Sequence, residues 1–235
     1  MSDSGAPGML SRVKEVGALA SRFWRGFGHK GPRGPENGPP ALVIPGFIAN
    51  DRTTMELRRA LAEAGFRVHP WRHGINWGAR PDTLDRLRRA AELCGHDEPI
   101  LLVGWSLGGL YARELARAQP ERVRAVVTLG TPVWGDRRRY TNVWRLYEWV
   151  ARHPVDDPPI AESEDKPPVP TLAIWSRRDG IVGVPSARGT EATRDREAEV
   201  NSTHMGFAVS KRGTRAAVAE IVKFLREIEA PESHD

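Results

Sequence analysis

Short apolar runs recur along the chain and alternate with longer segments in which apolar residues return every three or four positions. Short continuous runs are typical of strands buried on both faces, and the longer spacing is typical of helices with one buried face. The predicted strands are 41–44, 66–71, 100–105, 123–129, 171–176 and 198–201. This alternation predicts an α/β fold, with about six strands in a mostly parallel sheet and helices on both faces.

Four segments between or after these strands have helical spacing, and they begin near Thr53, Asp82, Leu107 and Thr214. Thr53 and Glu56 have the spacing of a capping box, which predicts the start of the first helix. Glycines 65 and 95 follow the first two segments and predict where those helices end.

The alternation is interrupted at residues 133–169, where prolines are frequent and one short amphipathic segment, 143–150, carries three aromatic residues. A connection of this length between two core strands is unusual and predicts a lid-like insertion. We therefore expect one domain over residues 41–230 that contains this insertion, followed by a disordered tail at 231–235.

Residues 1–40 are expected to precede the domain as an amphipathic helix, Leu10 to Phe27, and a linker rich in glycine and proline, Gly28 to Pro40. Four basic residues interrupt the apolar positions of the helix. Such a helix either packs on the domain or makes peripheral contact with a membrane or a partner.

The chain has 235 residues, a formal net charge of +5 and a pI of about 9.8. Its arginines are spread along the predicted helices and no nucleic-acid-binding motif accompanies them, which argues against nucleic-acid binding. The one cysteine, Cys94, excludes an internal disulfide. No apolar run approaches the roughly 20 residues of a membrane span. We therefore predict a cytoplasmic protein, with membrane association left open, and the sequence does not predict its oligomeric state.

The strongest motif is Gly-x-Ser-x-Gly, with Ser106 at its centre. The apolar strand 100–105 leads into the motif and the helical segment 107–118 leads out of it. A serine in a sharp strand-to-helix turn has a strained backbone, and its hydroxyl stands above the end of the sheet. The context predicts a nucleophile elbow.

The chain resembles the α/β-hydrolases of the serine esterase and lipase type. The resemblance is carried by the segments 44–47, 104–109, 128–132, 176–182 and 202–204. The Leu-Gly-Thr-Pro and Asp-Gly-Ile-Val segments are most similar to bacterial lipases. The chain departs from the family pattern at Pro45, where many relatives have histidine, and at Trp105, where lipases usually have histidine; both departures concern substrate preference.

In this fold the catalytic residues follow the chain order serine, acid, histidine. Only three of the seven histidines come after Ser106, at positions 153, 204 and 234, and His204 follows the last predicted strand. Asp179 follows the strand 171–176 and precedes His204. A serine hydroxyl needs a base to take its proton, and the base needs a carboxylate to orient it. We therefore predict Ser106, His204 and Asp179 as the catalytic triad, with Asp136 and Asp195 as rival acids.

Two backbone N–H groups are expected to form the oxyanion hole, one from Leu107 at the start of the elbow helix and one from Phe47 in the loop after the first strand. The expected walls of the substrate pocket are the aromatic side chains of Phe47, Trp105, Trp144 and Tyr147. Core packing is the alternative role of these aromatics.

These features predict a carboxylic ester hydrolase, an esterase or lipase, that forms an acyl-enzyme on Ser106 and acts on a small ester or a lipid. The expected chemistry requires no cofactor and no metal. An acyltransferase or thioesterase could use the same triad, and a non-catalytic binding protein on this fold is a third reading. The sequence does not predict the natural substrate or the acyl chain length.

Overall fold

A computed structural model describes residues 34–230, so the predicted N-terminal helix at Leu10 to Phe27 and the tail 231–235 lie outside the described residues. The described chain contains six strands, β1 (Pro40–Ile44), β2 (Arg67–Pro70), β3 (Ile100–Trp105), β4 (Val123–Leu129), β5 (Thr171–Trp175) and β6 (Arg196–Glu199). Its helices are α1 (Met55–Glu63), α2 (Thr83–Cys94), α3 (Leu107–Ala118), α4 (Arg137–Tyr140), α5 (Trp144–Ala151), α6 (Val184–Arg188), α7 (Gly206–Val209) and α8 (Lys211–Glu229). A short 3₁₀ turn, Pro120–Arg122, precedes β4.

The strands form one sheet in the order β2-β1-β3-β4-β5-β6, and every neighbouring pair is parallel. The predicted α/β fold with about six strands is confirmed. The four inner strands are buried almost throughout because helices cover both faces, which explains their continuous apolar sequences.

The two faces of the sheet have separate hydrophobic cores. Alternate residues of β1 and β3, such as Val43 and Val103, pack with residues of α1 and α8 on one face. The residues between them, such as Leu42 and Leu102, pack with α2 and α3 on the other face. The expectation of helices on both faces is confirmed.

The order of the strands creates a topological switch point at the carboxyl end of the sheet. The chain leaves β1 toward the outer strand β2 and then returns past β1 to form β3. The loops after β1 and β3 therefore lead away in opposite directions, and ligands of open α/β sheets bind at such a switch point. Phe47 follows β1 and Ser106 follows β3, so both lie at this point.

The capping-box prediction at the start of α1 is wrong. The helix begins at Met55, and Thr54 occupies the N-cap position without a side-chain hydrogen bond. Thr53 instead takes part in a turn in which its N–H donates to Oδ1 of Asn50 over 3.3 Å. An asparagine three residues earlier competes for this N–H group, so the helix starts later than the pattern predicts.

The insertion contains α4 and α5 and is otherwise irregular, and α5 confirms the predicted amphipathic segment. Its lid-like role stays a prediction. The helices α4, α6 and α7 are too short to be recognised by periodicity. Among helices within residues 34–230, none is long and apolar enough to cross a membrane.

Candidate active site

Ser106 lies in a strained turn between β3 and α3, with φ 54° and ψ −124°. Few residues other than glycine adopt a positive φ. The turn is tight enough to need glycine on both sides: a Cβ on Gly104 would lie 2.3 Å from the carbonyl oxygen of Gly108, and a Cβ on Gly108 would lie 2.3 Å from that of Ile44. The predicted strand, turn and helix around Ser106 are therefore present, and they hold Ser106 at the carboxyl end of the sheet.

Two hydrogen bonds from β4 and its following loop hold the backbone of Ser106. Its N–H donates to the carbonyl oxygen of Leu129 over 2.9 Å. Its carbonyl oxygen accepts a hydrogen bond from Oγ1 of the buried Thr131 over 2.8 Å. Both backbone groups of the strained residue are thus satisfied by one neighbouring segment, which offsets part of the strain.

Asp179 and His204 form a buried pair, with Nδ1 of the histidine 2.8 Å from Oδ2 of the aspartate. The other carboxylate oxygen, Oδ1, accepts hydrogen bonds from the N–H groups of Ile181 and Val182, each over 2.8 Å. Both oxygens of Asp179 lie where they accept hydrogen bonds, so the proton between the two side chains is assigned to Nδ1 of His204. This tautomer leaves Nε2 as the basic nitrogen of the ring.

A second set of contacts joins this pair to the turn at Ser106. The indole N–H of Trp105 donates to the carbonyl oxygen of His204 over 3.0 Å, and the two rings are 5.6 Å apart. Gly130 directly follows Leu129 and has φ +55°; a Cβ there would lie 2.7 Å from Oδ2 of Asp179 and 3.1 Å from Nδ1 of His204. The structure therefore brings the predicted acid and base together, beside the residues that flank and hold Ser106.

Ser176 connects the loop that carries Asp179 to the loop that carries His204. Its buried Oγ accepts hydrogen bonds from the N–H of Arg178 over 3.0 Å and from the N–H of Ser202 over 3.3 Å. Sequence reasoning missed this serine, as it missed Gly130 and Thr131, although all three fall in segments that resemble the family.

The predicted oxyanion donors are Phe47, in the loop after β1, and Leu107, the first residue of α3, and the loop before Phe47 packs against the turn at Ser106. A Cβ on Gly46 would lie 3.0 Å from Cβ of Ser106 and 3.2 Å from the carbonyl oxygen of Trp105. Within residues 34–230, the N–H groups of Phe47 and Leu107 have no hydrogen-bond acceptor. The N–H of Leu107 also lies at the N-terminus of α3, where the helix dipole is positive.

The predicted pocket aromatics divide into two groups. The ring of the half-buried Phe47 lies 5.0 Å from that of Tyr147 on α5, and Trp144 is half-buried against the same core. Burial raises the pKa of Tyr147 to about 12, and its hydroxyl accepts a hydrogen bond from the N–H of Ala79 over 3.3 Å. Trp105, by contrast, belongs to the core on the other face of the sheet, the face covered by α1 and α8, and has 2% of its surface exposed. A contact between any of these rings and a substrate stays a prediction.

The rival residues are engaged elsewhere. Asp136 caps α4 through the N–H groups of Arg138 and Arg139. Asp195 accepts a hydrogen bond from the N–H of Thr171 and pairs with Lys166. His153 contacts the hydroxyl of Tyr147 through Nε2, 3.3 Å away. None of these contacts joins Asp136, Asp195 or His153 to Ser106.

Comparison with known proteins identifies the class. A sequence model of the α/β-hydrolase fold matches residues 24–157, more than half of the chain, and the chain belongs to the α/β-hydrolase family. The family resemblance predicted from the sequence is confirmed.

Two curated relatives match parts of the chain. It is 29% identical over 134 residues to a homoserine O-acetyltransferase of Thermus thermophilus, a match that covers 56% of this chain and 33% of that protein. It is 32% identical over 106 residues to a pimeloyl-(acyl-carrier protein) methyl ester esterase of Nitrosospira multiformis, which covers 40% of this chain and 39% of that protein. The chain thus spans between a third and two fifths of these relatives' length.

Solved structures show the fold at lower sequence identity. A provisionally identified lipase of Acinetobacter baumannii has a TM-score of 0.62 at 17% identity, over 84% of this chain and 86% of that one. A thioesterase domain from the curacin biosynthetic pathway has a TM-score of 0.56 at 15% identity, over 82% of this chain and 92% of that one.

Proposed function

We propose that the protein is a serine hydrolase that cleaves carboxylic esters, with Ser106 as nucleophile, His204 as general base and Asp179 as the acid that orients the histidine. The observation that carries the proposal is the buried 2.8 Å pair of Asp179 and His204, held against Gly130 beside the strained turn of Ser106. Membership of the α/β-hydrolase family supports it.

The proposed reaction begins when Oγ of Ser106 attacks the ester carbonyl carbon and its proton passes to Nε2 of His204. Negative charge develops on the carbonyl oxygen, and the N–H groups of Phe47 and Leu107 stabilise it. The tetrahedral intermediate collapses when the C–O bond breaks and His204 returns the proton to the leaving alcohol. Water then attacks the acyl-enzyme with the same proton transfers and releases the carboxylic acid.

The role of Asp179 follows from the hydrogen bonds of its two oxygens. Oδ1 is held by two backbone N–H groups, so Oδ2 is fixed toward His204. The carboxylate keeps the proton on Nδ1 and stabilises the imidazolium that forms when Nε2 accepts the serine proton.

The experiment that tests this proposal is Ser106→Ala, assayed with a series of p-nitrophenyl esters and with a fluorophosphonate probe. We expect turnover to fall by about 10⁴-fold or more and labelling to disappear, because the nucleophile is removed. The matched control is Ser210→Ala, which removes the N-cap hydroxyl of α8 and should cost about 1 kcal/mol of stability without loss of labelling. Undiminished turnover in Ser106→Ala would refute the assignment.

A second candidate, acyl transfer, is favoured by the match to a homoserine O-acetyltransferase and by the thioesterase structure. The same acyl-enzyme would be resolved by an alcohol in transfer and by water in hydrolysis. An acyl thioester donor, offered with and without homoserine, separates the two because only transfer yields O-acyl homoserine. The ester series also distinguishes a preference for short acyl chains, typical of an esterase, from one for long chains.

A further inference from the structure

The loop after β1, residues 45–49, contains the backbone N–H proposed to bind the oxyanion, yet it belongs to no helix or strand. Ile48 in this loop has φ 53°, a conformation that a β-branched residue rarely adopts. Something outside the loop must therefore keep it in this shape.

A single residue, Asn76, binds the loop at three points. The N–H of Ile48 donates to the main-chain oxygen of Asn76 over 2.7 Å, and the N–H of Asn76 donates to the oxygen of Ala49 over 2.8 Å. The side-chain Nδ2 of Asn76 donates to the oxygen of Pro45 over 2.9 Å. These bonds span the loop from its first residue to its last.

The side chain of Asn76 is buried, with 1% of the residue exposed, and both ends of its amide are used. Oδ1 accepts a hydrogen bond from the N–H of Gly78 over 3.2 Å, and the hydroxyl of Tyr111 lies 3.5 Å from the same oxygen. The side-chain amide of asparagine donates through Nδ2 and accepts through Oδ1, whereas both oxygens of an ionised carboxylate accept. The orientation that sends Nδ2 to Pro45 is therefore set by the partners of Oδ1.

These contacts fix the orientation of the peptide group between Gly46 and Phe47. The carbonyl of Gly46 and the N–H of Phe47 belong to one planar unit, and the Gly46 oxygen accepts a hydrogen bond from the N–H of Ala49 over 3.1 Å. Since that oxygen is held toward Ala49, the N–H of Phe47 must point the opposite way. Ala49 is itself held by Asn76, as are the peptide groups on both sides of this unit.

We propose that Asn76 is a positioning residue that sets the direction of the Phe47 N–H toward the reacting carbonyl oxygen. This inference rests on the proposed function, because it assigns a reason for the loop's shape within the same reaction. Asn76 acts through Pro45, Ile48 and Ala49, the residues of the loop with which it forms hydrogen bonds.

The test is Asn76→Asp, an isosteric change that removes the donor to Pro45 and places a carboxylate oxygen against a carbonyl oxygen. We expect kcat for the preferred p-nitrophenyl ester to fall about 10- to 100-fold, with KM changed by less than about threefold, because a misplaced oxyanion donor weakens the transition state alone. A trifluoromethyl ketone of matching acyl chain forms a tetrahedral adduct with the serine. Its Ki should rise by the same factor as kcat/KM falls.

The matched control is Thr171→Val, which is also nearly isosteric and also removes a buried hydrogen bond, from Oγ1 to the oxygen of Val169 over 2.9 Å. Thr171 begins β5, at the end of the sheet opposite Ser106. This variant should lose stability comparable to that lost by Asn76→Asp and keep the kcat and Ki of the wild type. If Asn76→Asp does not fold, Asn76→Ser is measured in its place, since a serine hydroxyl is too short to reach Pro45.

Wild-type kcat and Ki in the Asn76 variant, or equal losses of kcat in both variants, would overturn the positioning role. The proposed function has a separate readout, since fluorophosphonate labels the wild type and not Ser106→Ala if it is right. A labelled, active wild type with an unaffected Asn76 variant rejects this inference alone. A wild type that neither labels nor turns over esters rejects both.

Discussion

The two groups of residues around Ser106 differ in the atoms that they contribute to the proposed site: side-chain atoms on one side and a backbone N–H on the other. On one side, Asp179 and His204 meet through their side chains, and the carboxylate is held by N–H groups only two and three residues further along the chain. On the other side, the Phe47 loop offers a backbone N–H, and its shape depends on Asn76, which bonds Pro45 from 31 positions away. We call these the side-chain half and the backbone half of the proposed active site.

This difference decides how each half responds to mutation. A side chain that does chemistry can be removed by one substitution, whereas a backbone N–H survives substitution of its own residue and can be displaced only through its supports. We therefore expect large, localised losses in the side-chain half and smaller, indirect losses in the backbone half. Four variants, in order of decreasing expected effect, test this comparison.

The largest effect is expected for Asp179→Asn. The amide nitrogen would face Nδ1 of His204 and move the ring proton to Nε2, so the histidine could no longer accept a proton from Ser106. We predict that kcat falls by about 10³- to 10⁴-fold. The measurement is kcat with the preferred p-nitrophenyl ester.

Asp195→Asn is the matched control, because Asp195 is also a carboxylate that accepts a backbone hydrogen bond, from Thr171. It should retain wild-type kcat. Equal losses in the two variants would show that Asp179 has only a structural role.

Gly130→Ala should have the next largest effect, because a methyl group would press on both Asp179 and His204 at a positive φ. We expect a loss of about 1–3 kcal/mol in unfolding free energy and a fall in kcat of about 10- to 100-fold. Gly65→Ala separates strain from displacement, since Gly65 has φ +97° and no atom within 4 Å of an added Cβ. Normal kcat in Gly130→Ala would mean that the acid–base pair tolerates displacement.

Trp105→Phe removes the indole N–H that binds the carbonyl oxygen of His204 but keeps an aromatic ring in the core. One lost hydrogen bond is worth about 1 kcal/mol, and the loss of this one restraint on His204 should lower kcat about three- to tenfold. KM for short esters should stay unchanged. A change confined to KM would instead support the predicted role of Trp105 in substrate binding.

The smallest effect on catalysis is expected for Tyr147→Phe, which lies in the insertion and packs on Phe47. The clearest expected effect of this substitution is on the free energy of unfolding at high pH. The folded protein keeps the Tyr147 proton up to a pKa of about 12, against a reference of 10.0, so raising the pH through this window favours the unfolded chain. The stabilisation present below pH 10 should be lost toward pH 12, by about 2 kcal/mol for this group.

Urea unfolding at several pH values between about 9 and 12 provides the measurement. Tyr147→Phe should have a shallower decline than the wild type over this window, because the phenylalanine has no proton to release. Identical slopes would show that the Tyr147 hydroxyl is not held in a buried environment.

The sequence predicted the long elements of the fold more accurately than the contacts of single side chains. The bounds of β3, α3 and β4 match their predictions to the residue, because these elements are long and buried and their periodicity is clear. The capping box of Thr53 failed because Asn50, outside the pattern, binds the same N–H.

In the site, the sequence pointed to Asp179 and His204, which the structure then brings within 2.8 Å. It did not point to Asn76, because an asparagine in a loop rich in glycine is an ordinary turn residue. It did not assign roles to Gly130 and Thr131, since their contacts are with residues remote in the chain. Their roles follow from atoms that approach only after folding.

The sequence by itself determined the order of the strands along the chain, the strained turn at Ser106 and the chemical types of its candidate partners, because buried periodicity and reactive side chains are properties of residue type. The tertiary structure decided among the three candidate carboxylates, and it alone showed which asparagine holds the Phe47 loop. The physical reason is that these contacts join backbone groups and side chains from distant segments, and any residue except proline carries the same N–H group.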